Sequence, residues 1–472
     1  MSFLDRERSV AKPGFSRWLV PPAALAVHLS IGQIYAYSVF NEPMSRLLGV
    51  TESAPGDWSL ATLGWIFTIA LAVLGASAAV FGKWLERVGP RQAMFASACF
   101  FGGGFLVAAL GVAWHQIWLV YLGHGVLGGI GLGLGYISPV STLIKWFPDR
   151  PGMATGMAIM GFGGGAMVAS PLSVALMNRF GTDASVGVAP TFVTMGIIYF
   201  VFMMFGVFTV RVPPANWKPA GYVVPTTTKK LVTNANVDAD TAIRTPQFWF
   251  LFAVLCLNVT AGIGVLGQAS VMIQEMFSVN SVGEGAAVTA AAAAGFVGLL
   301  SLFNMAGRFF WSSVSDYIGR KNTYSVFFLL GALLYFLVPR FGASGNVVLF
   351  VASFCVILTM YGGGFATIPA YLRDLFGTMQ VGAIHGRLLL AWSLAAVAGP
   401  VLVNYIRQGQ INSGVPAAQA YSVTMYIMAG LLLVGFVCNL MVREVDARHH
   451  FKEPKMATTP GSSVVAATSK AN

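Results

Sequence analysis

From Ala290 to Gly307 the chain carries no charge, then Arg308 appears, and seven uncharged residues separate it from Asp316. In a helix those eight steps put Arg308 about 12 Å before Asp316. A guanidinium that deep in an apolar helix costs about 2.5–3.5 kcal/mol in a bilayer, so it wants a counter-ion. The depths of the apolar runs supply none, because Glu42 and Glu275 stand at the outer ends of theirs. A permanent cation without a fixed carboxylate suits a mobile anion. Guanidinium grips a carboxylate through two parallel N–H···O bonds. Asn304 lies one turn earlier on the same face. It can orient a carboxylate but cannot carry a proton. The competing reading is structural: Arg308 snorkels to the membrane surface or pairs with backbone carbonyls.

Other polar side chains sit in apolar surroundings. Gln33, Tyr35 and Tyr37 in the first run, Gln268 in the seventh and Tyr361 in the tenth are candidates to hydrogen-bond a substrate. Tyrosines also anchor helices at membrane interfaces. His28 and His124 read as the histidines deep in apolar runs, where they either couple protons or are satisfied core residues. Trp392 stacks on substrate or fills the core, and Arg387, near the end of its run, snorkels. No Ser/His/Asp, His–metal or paired-carboxylate constellation lies at this depth, which argues against an enzyme, a cofactor and a metal. Cys99, Cys256, Cys355 and Cys438 stand singly in apolar runs, as core residues do.

The elements that hold these residues are membrane spans. Only 10% of the residues are charged and 56% are hydrophobic, far from the ~25% charged residues of soluble domains. About twelve apolar runs of spanning length cover 17–43, 60–83, 92–113, 116–140, 152–178, 189–211, 247–272, 286–314, 323–340, 345–370, 381–406 and 418–442. The chain divides into an N-terminal segment (1–16), a first six-helix half (17–211), a polar linker (212–246), a second half (247–442) and a disordered tail (443–472). The net charge of +11 comes from short clusters between spans, a pattern for lipid and not for nucleic acid. With the N-terminus inside, Arg46, Arg179, Arg340 and Arg407 fall outside and Arg308 within a span, leaving 23 of the 28 Lys/Arg inside. That bias predicts cytoplasmic termini in a multi-pass plasma (inner) membrane protein.

A duplication is visible. Glu86 and Asp316 are 230 apart, as are Gly89 and Gly319, Pro139 and Pro369, and Gly32 and Gly262, while Pro171 and Pro400 are 229 apart. The fold predicted is an all-α polytopic membrane protein of twelve transmembrane helices in two pseudo-symmetric six-helix halves, with a site between them. The glycines at 131, 133, 135, 161 and 163–165 suit close helix packing. No Lys-Ser/Thr follows them, so they are not a phosphate loop.

The loop "GKWLERVGPR" (82–91) and its repeat "SSVSDYIGRK" (312–321) resemble the signature loop of the major facilitator superfamily. Gly82, Glu86, Arg87, Gly89 and Arg91 match it. In the second copy Asp316, Gly319, Arg320 and Lys321 match, with Ser312 and Tyr317 departing. The resemblance implies charged contacts between the halves that form in one state and release in the other. It also implies a monomer. Both carboxylates fall at helix C-terminal ends, where the dipole disfavours them.

Within that superfamily, "GQIYAYSVFNEPM", "GIGLGLGYISPVSTLIKWFPDRPGMATGMAIMGFGGGA", "TPQFWFLFAVLCLNVTAG", "GQASVMIQEM" and "HGRLLLAWSLAAVAGPVLVNYI" resemble the oxalate/formate antiporter family, which is related to the monocarboxylate porters. The resemblance covers about residues 15–445. It implies transport of a small carboxylate, with Arg308 as its ligand, by exchange or proton symport. Two departures matter. A lysine that serves the dicarboxylate in oxalate exchangers is Trp392 here, which favours a monocarboxylate such as formate, lactate or pyruvate over oxalate. An Asp used for proton coupling in some monocarboxylate porters is Asn304. The alternatives are a transporter-like carboxylate sensor and a facilitator of an unrelated small molecule.

Overall fold

The computed structural model describes residues 3–215, 217–222, 231–266, 268–283 and 287–451. Twelve long helices dominate it: α1 Arg17–Met44, α2 Leu60–Val88, α3 Pro90–Ala113, α4 Ile117–Trp146, α5 Pro151–Phe180, α6 Val188–Thr209 and α7 Pro246–Leu266, then α8 Ala290–Ile318, α9 Arg320–Ala343, α10 Val347–Phe376, α11 Val381–Asn412 and α12 Ser422–Met441. Among the described residues, eleven of these are long and apolar enough to cross a membrane by length and composition. The 29-residue α8 is the twelfth long helix.

The duplication read from the sequence recurs in the helix bounds. The same offset of 230 relates both ends of α2 to those of α8, of α3 to those of α9 and of α4 to those of α10, and it relates the starts of α5 and α11. The turns between the first two helices of each set match as well. Gly89 and Gly319 hold φ of 86° and 87°, a left-handed region that disfavours side chains.

The helices are not uniform rods. α1 passes from α-helix to a 3-10 stretch at Gly32–Phe40, and α4, after a first α-helical turn at Ile117–Val120, is π-helical over Tyr121–Leu127. The seventh run, expected to continue to 272, stops as α7 at Leu266, and a separate short helix covers Ala269–Met276. Outward faces are apolar, with Val80, Val348, Leu394 and Val437 exposed, as lipid-facing surfaces must be. Trp18 and Trp249 are exposed at the end where the linker lies, and Trp114 and Trp118 at the other, fitting interfacial anchors.

The halves meet through two related pairs of helices, α2 with α11 and α5 with α8. Glycines set their separation. A Cβ at Gly82 would lie 2.7 Å from Ala383 Cα, and one at Gly152, Gly156 or Gly386 would collide with Ser312 or Ala78. Gly152 and Gly156 are related to Gly382 and Gly386 by the repeat offset. The tail, expected to be disordered from 443, is docked over its first stretch: Phe451 N–H donates to Asn236 O at 2.7 Å, and Gln247 Nε2 to Glu444 O at 2.9 Å. Residues 452–472, where the rest of that expectation falls, lie outside the described residues.

Candidate functional site

Arg308 is fully buried at the junction of the halves. Its Nε donates to Asn304 Oδ1 at 3.1 Å, the i,i+4 geometry expected on one helix face. Nη1 and Nη2 are buried without a partner among the described residues. The side chain therefore does not snorkel, and no carboxylate neutralises it. Room for it comes from glycines on two neighbouring helices. A Cβ at Gly163 of α5 would lie 2.8 Å from Nε, and one at Gly362 of α10 would lie 3.1 Å from Cγ.

Aromatic rings enclose the guanidinium. It lies 5.6 Å from the Phe162 ring centroid of α5 and 5.2 Å from that of Phe365 of α10, within cation–π range. Trp392 of α11 is also fully buried, 4.5 Å from Phe365 and 5.4 Å from both Phe162 and Tyr136. Tyr35 of α1 packs edge-on against Phe162 at 5.1 Å. Its hydroxyl lies 3.2 Å from that of Tyr361 of α10, a hydrogen bond joining the two halves. Tyr35 and Tyr136 both interact with Arg308, through its charge and as polar side-chain neighbours, while the geometry falls short of a hydrogen bond to Nη1 or Nη2. Six helices, three from each half, thus converge on one cation.

The sequence candidates divide. Arg308, Asn304, Tyr35, Tyr361 and Trp392 come together. Tyr37 does not: it stacks on His124 at 4.2 Å and lies against Phe40 and Phe192 in the first half's own core. Tyr35 and Tyr37 are two residues apart on a 3-10 turn of three residues, so they leave on different faces. His124 shares that displaced position and is not beside Arg308. Gln33 is buried with both amide atoms unpartnered among the described residues, and no hydrogen bond there ties it to the cage. Gln268 precedes the short helix Ala269–Met276 and is half-buried there, away from the cage. His28 does approach: its ring lies 5.2 Å from Tyr136.

Sequence reasoning missed Tyr136, Phe162, Phe365 and His385. The reading of His28 and His124 as the deep histidines is corrected, because His385 is also buried, 5.8 Å ring to ring from Tyr136. Two signals were available. Tyr136 is a lone phenol in a glycine-rich run, and Phe162 is the repeat counterpart of Trp392.

The second cluster lies at the linker end. Glu86 Oε1 accepts the Gly382 N–H at 3.0 Å, and Oε2 accepts Lys145 Nζ at 2.8 Å. Asp316 accepts the Gly152 and Met153 N–H groups, both at 2.9 Å, and Arg320 Nη2 at 2.6 Å. Each carboxylate sits at its own helix's unfavourable C-terminal end but caps the N-terminus of a helix in the other half, where the dipole favours it. Arg320 also pairs with Asp374 at 3.1 Å. Arg87 is exposed beside this junction.

Arg91 and Lys321 correct the expectation that the whole loop reaches across the halves. Arg91 donates to the carbonyls of Phe3 and Arg8, at 3.0 and 3.3 Å, and of Val210, at 3.2 Å. Lys321 donates to those of Leu440 and Val442, at 2.7 and 2.9 Å. Both therefore fasten the end of the sixth helix of their own half, in register, since Val210 and Leu440 share the repeat offset. A third contact comes from the linker: Asp240 accepts Lys83 of α2 and Arg387 of α11. Arg387 is thus paired with the linker.

The chain matches the Major Facilitator Superfamily over residues 15–308 and 297–469. It is 28% identical over 390 residues to the oxalate:formate antiporter of Oxalobacter formigenes, covering 81% of this chain and 83% of that protein. Apicoplast pyruvate carrier 1 of Toxoplasma gondii is 23% identical over 384 residues, covering 71% and 68%. Among solved structures, the proton:xylose symporter XylE superposes with a TM-score of 0.66 at 13% identity, covering 91% of this chain and 96% of that one. At that identity the likeness speaks for the fold alone.

Proposed function

The chain belongs to the Major Facilitator Superfamily, and on that premise we propose that it is a secondary transporter of a small carboxylate and not an enzyme. The substrate carboxylate binds Nη1 and Nη2 of Arg308, while Asn304 holds Nε. The two six-helix halves rock about this point and expose it alternately to the two sides of a plasma (inner) membrane, with both termini cytoplasmic and the protein acting as a monomer. Movement takes the form of exchange or proton symport.

One observation carries the reading: a fully buried guanidinium at the junction of the halves has two nitrogens without partners among the described residues. Leaving charged donors unpaired is costly, and a carboxylate satisfies both at once. The oxalate:formate antiporter and the pyruvate carrier among the relatives support the substrate class. A monocarboxylate such as formate, lactate or pyruvate fits better than oxalate. Among the described residues the other buried guanidinium groups, Arg91 and Arg320, are engaged at the linker end, and Trp392 fills the place where a second cation would serve a dianion.

The test is counterflow in proteoliposomes with formate, lactate, pyruvate and oxalate. Arg308→Ala and Arg308→Lys are expected to abolish uptake while the protein still inserts and elutes as a single folded species. Uptake by Arg308→Ala at the wild-type rate would sink the carboxylate reading. Oxalate moving faster than the three monocarboxylates would refute the preference for a monoanion.

A further inference from the structure

Tyr136 lies between two imidazoles from opposite halves. His28 of α1 is 5.2 Å away ring to ring, and His385 of α11 is 5.8 Å away. All three side chains are buried, and the Tyr136 hydroxyl, His28 Nδ1 and His385 Nε2 have no hydrogen-bond partner among the described residues. His28 Nε2 lies 3.2 Å from the Tyr136 carbonyl oxygen. A carbonyl only accepts, so Nε2 carries the hydrogen, and the contact fixes the orientation of the His28 ring within the first half. His124 is packed against Tyr37 and Phe105 in that same half. Of these three histidines, His385 sits on one of the two pairs of helices, α2 with α11 and α5 with α8, through which the halves pack most closely. Gly382, three residues earlier, is held by Glu86, Gly386 packs on the Ala78 carbonyl of α2, and Trp392 of the cage follows two turns later.

Resting on the carboxylate-transport reading, we propose that His385 carries the coupled proton, so that one proton and one carboxylate cross together. A proton adds to Nε2 as the anion docks on Arg308, and both leave on the far side. No covalent bond of the substrate forms or breaks. The charge of the buried core is the same in both forms: the guanidinium alone when empty, and guanidinium, carboxylate and imidazolium when loaded. The halves can then return empty without a change in the charge carried through the bilayer, where an added charge is expensive.

Imidazole is the side chain whose ordinary titration falls between pH 5 and 8. Of the other charged groups on the elements packed against this segment, Arg87 of α2 is exposed, Asp238 accepts the Thr241 hydroxyl, and the rest are paired. Glu86 is paired with Lys145, Lys83 and Arg387 are paired with Asp240, and Asp374 is paired with Arg320 and Arg373. Tyr136 of α4 and Tyr371 of α10 are buried phenols, and His28 of α1 is held as described.

The experiment uses full-length protein in proteoliposomes with radiolabelled formate, lactate and pyruvate. Two measurements are made: counterflow without a pH gradient, and net accumulation driven by one. For one proton per anion, a gradient of one pH unit drives about tenfold accumulation. Wild type is expected to show it. His385→Gln is expected to lose accumulation entirely while keeping counterflow within about twofold, a split that a merely structural role would not produce. His28→Gln is expected to retain accumulation. The inference is overturned if His385→Gln still accumulates, if it loses counterflow along with accumulation, or if wild type shows counterflow but no response to the gradient. A wild type that moves none of the three carboxylates overturns the transport reading itself, and the inference with it.

Discussion

Among the described residues, Arg308 finds a partner on one nitrogen only. Asn304, read from the sequence as able to orient a carboxylate, takes Nε of Arg308 with its amide oxygen at 3.1 Å. It therefore aims the two remaining nitrogens. Asn304→Asp would place a fixed negative charge at the same point, giving the guanidinium an internal partner that competes with the substrate. A hydrogen bond to a charged group is worth about 1.5–3 kcal/mol, so half-saturation for carboxylate counterflow at pH 7.5 is expected to rise about tenfold or more. An unchanged value would show that Nε is not where the substrate's field is felt. Arg308 could be found in the sequence because charge is so rare in the spans. The rings around it could not, because the chain has 35 phenylalanines and nothing local to Phe162 or Phe365 says which face turns inward.

The helices are tuned to touch at one end. Glycines bring α2 to α11 and α5 to α8, and that approach lets Glu86 and Asp316 reach the first N–H groups of helices in the opposite half. A carboxylate at a helix N-terminus contributes about 0.5–2 kcal/mol. Glu86→Gln or Asp316→Asn is therefore expected to shift the equilibrium about 2- to 30-fold towards the state open at the linker end. The measurement is labelling of a cysteine introduced at Ser141, which is buried beside Gly382, in a background without the four native cysteines. Faster labelling in both variants is expected, and unchanged labelling would deny these contacts a gating role. The loop motif itself was legible, but the direction of its basic residues was not. A cation two residues after a glycine reads alike whether it crosses to the other half or turns back, as Arg91 and Lys321 do.

The linker ties the two halves together at one end. Asn236 Oδ1 accepts the Thr378 and Met379 N–H groups, both at 3.1 Å, which fastens the strap to the second half. Asp240 then reaches Lys83 of the first half and Arg387 of the second. Hydrogen bonds from Lys83 and Arg387 lower the Asp240 pKa to about 2. A depressed folded-state pKa means that the contribution is present above the ordinary carboxylate value and is lost as pH falls through about 2. The latch should therefore hold unchanged from pH 5 to 8. Asp240 is half exposed, so salt should weaken the contact. Asp240→Asn is expected to speed labelling at the Ser141 position to the same degree at pH 5 and pH 8, with the difference from wild type shrinking in high salt. A difference that disappears at pH 5 would contradict the assignment.

Taken by itself, the sequence determined the membrane class, the twelve helices, the duplication and the cation set deep in a span. Each of these follows from local composition or from a fixed offset, which a linear chain displays directly. Tertiary structure alone decided which side chains meet. The 3-10 segment sends Tyr35 to the cage and Tyr37 away from it, and the break after Leu266 leaves Gln268 outside. His385, near the start of its apolar run, becomes a central buried group because glycines draw its helix against α2. Such outcomes depend on helix phase and on separation between halves, and neither is written in the neighbourhood of any single residue.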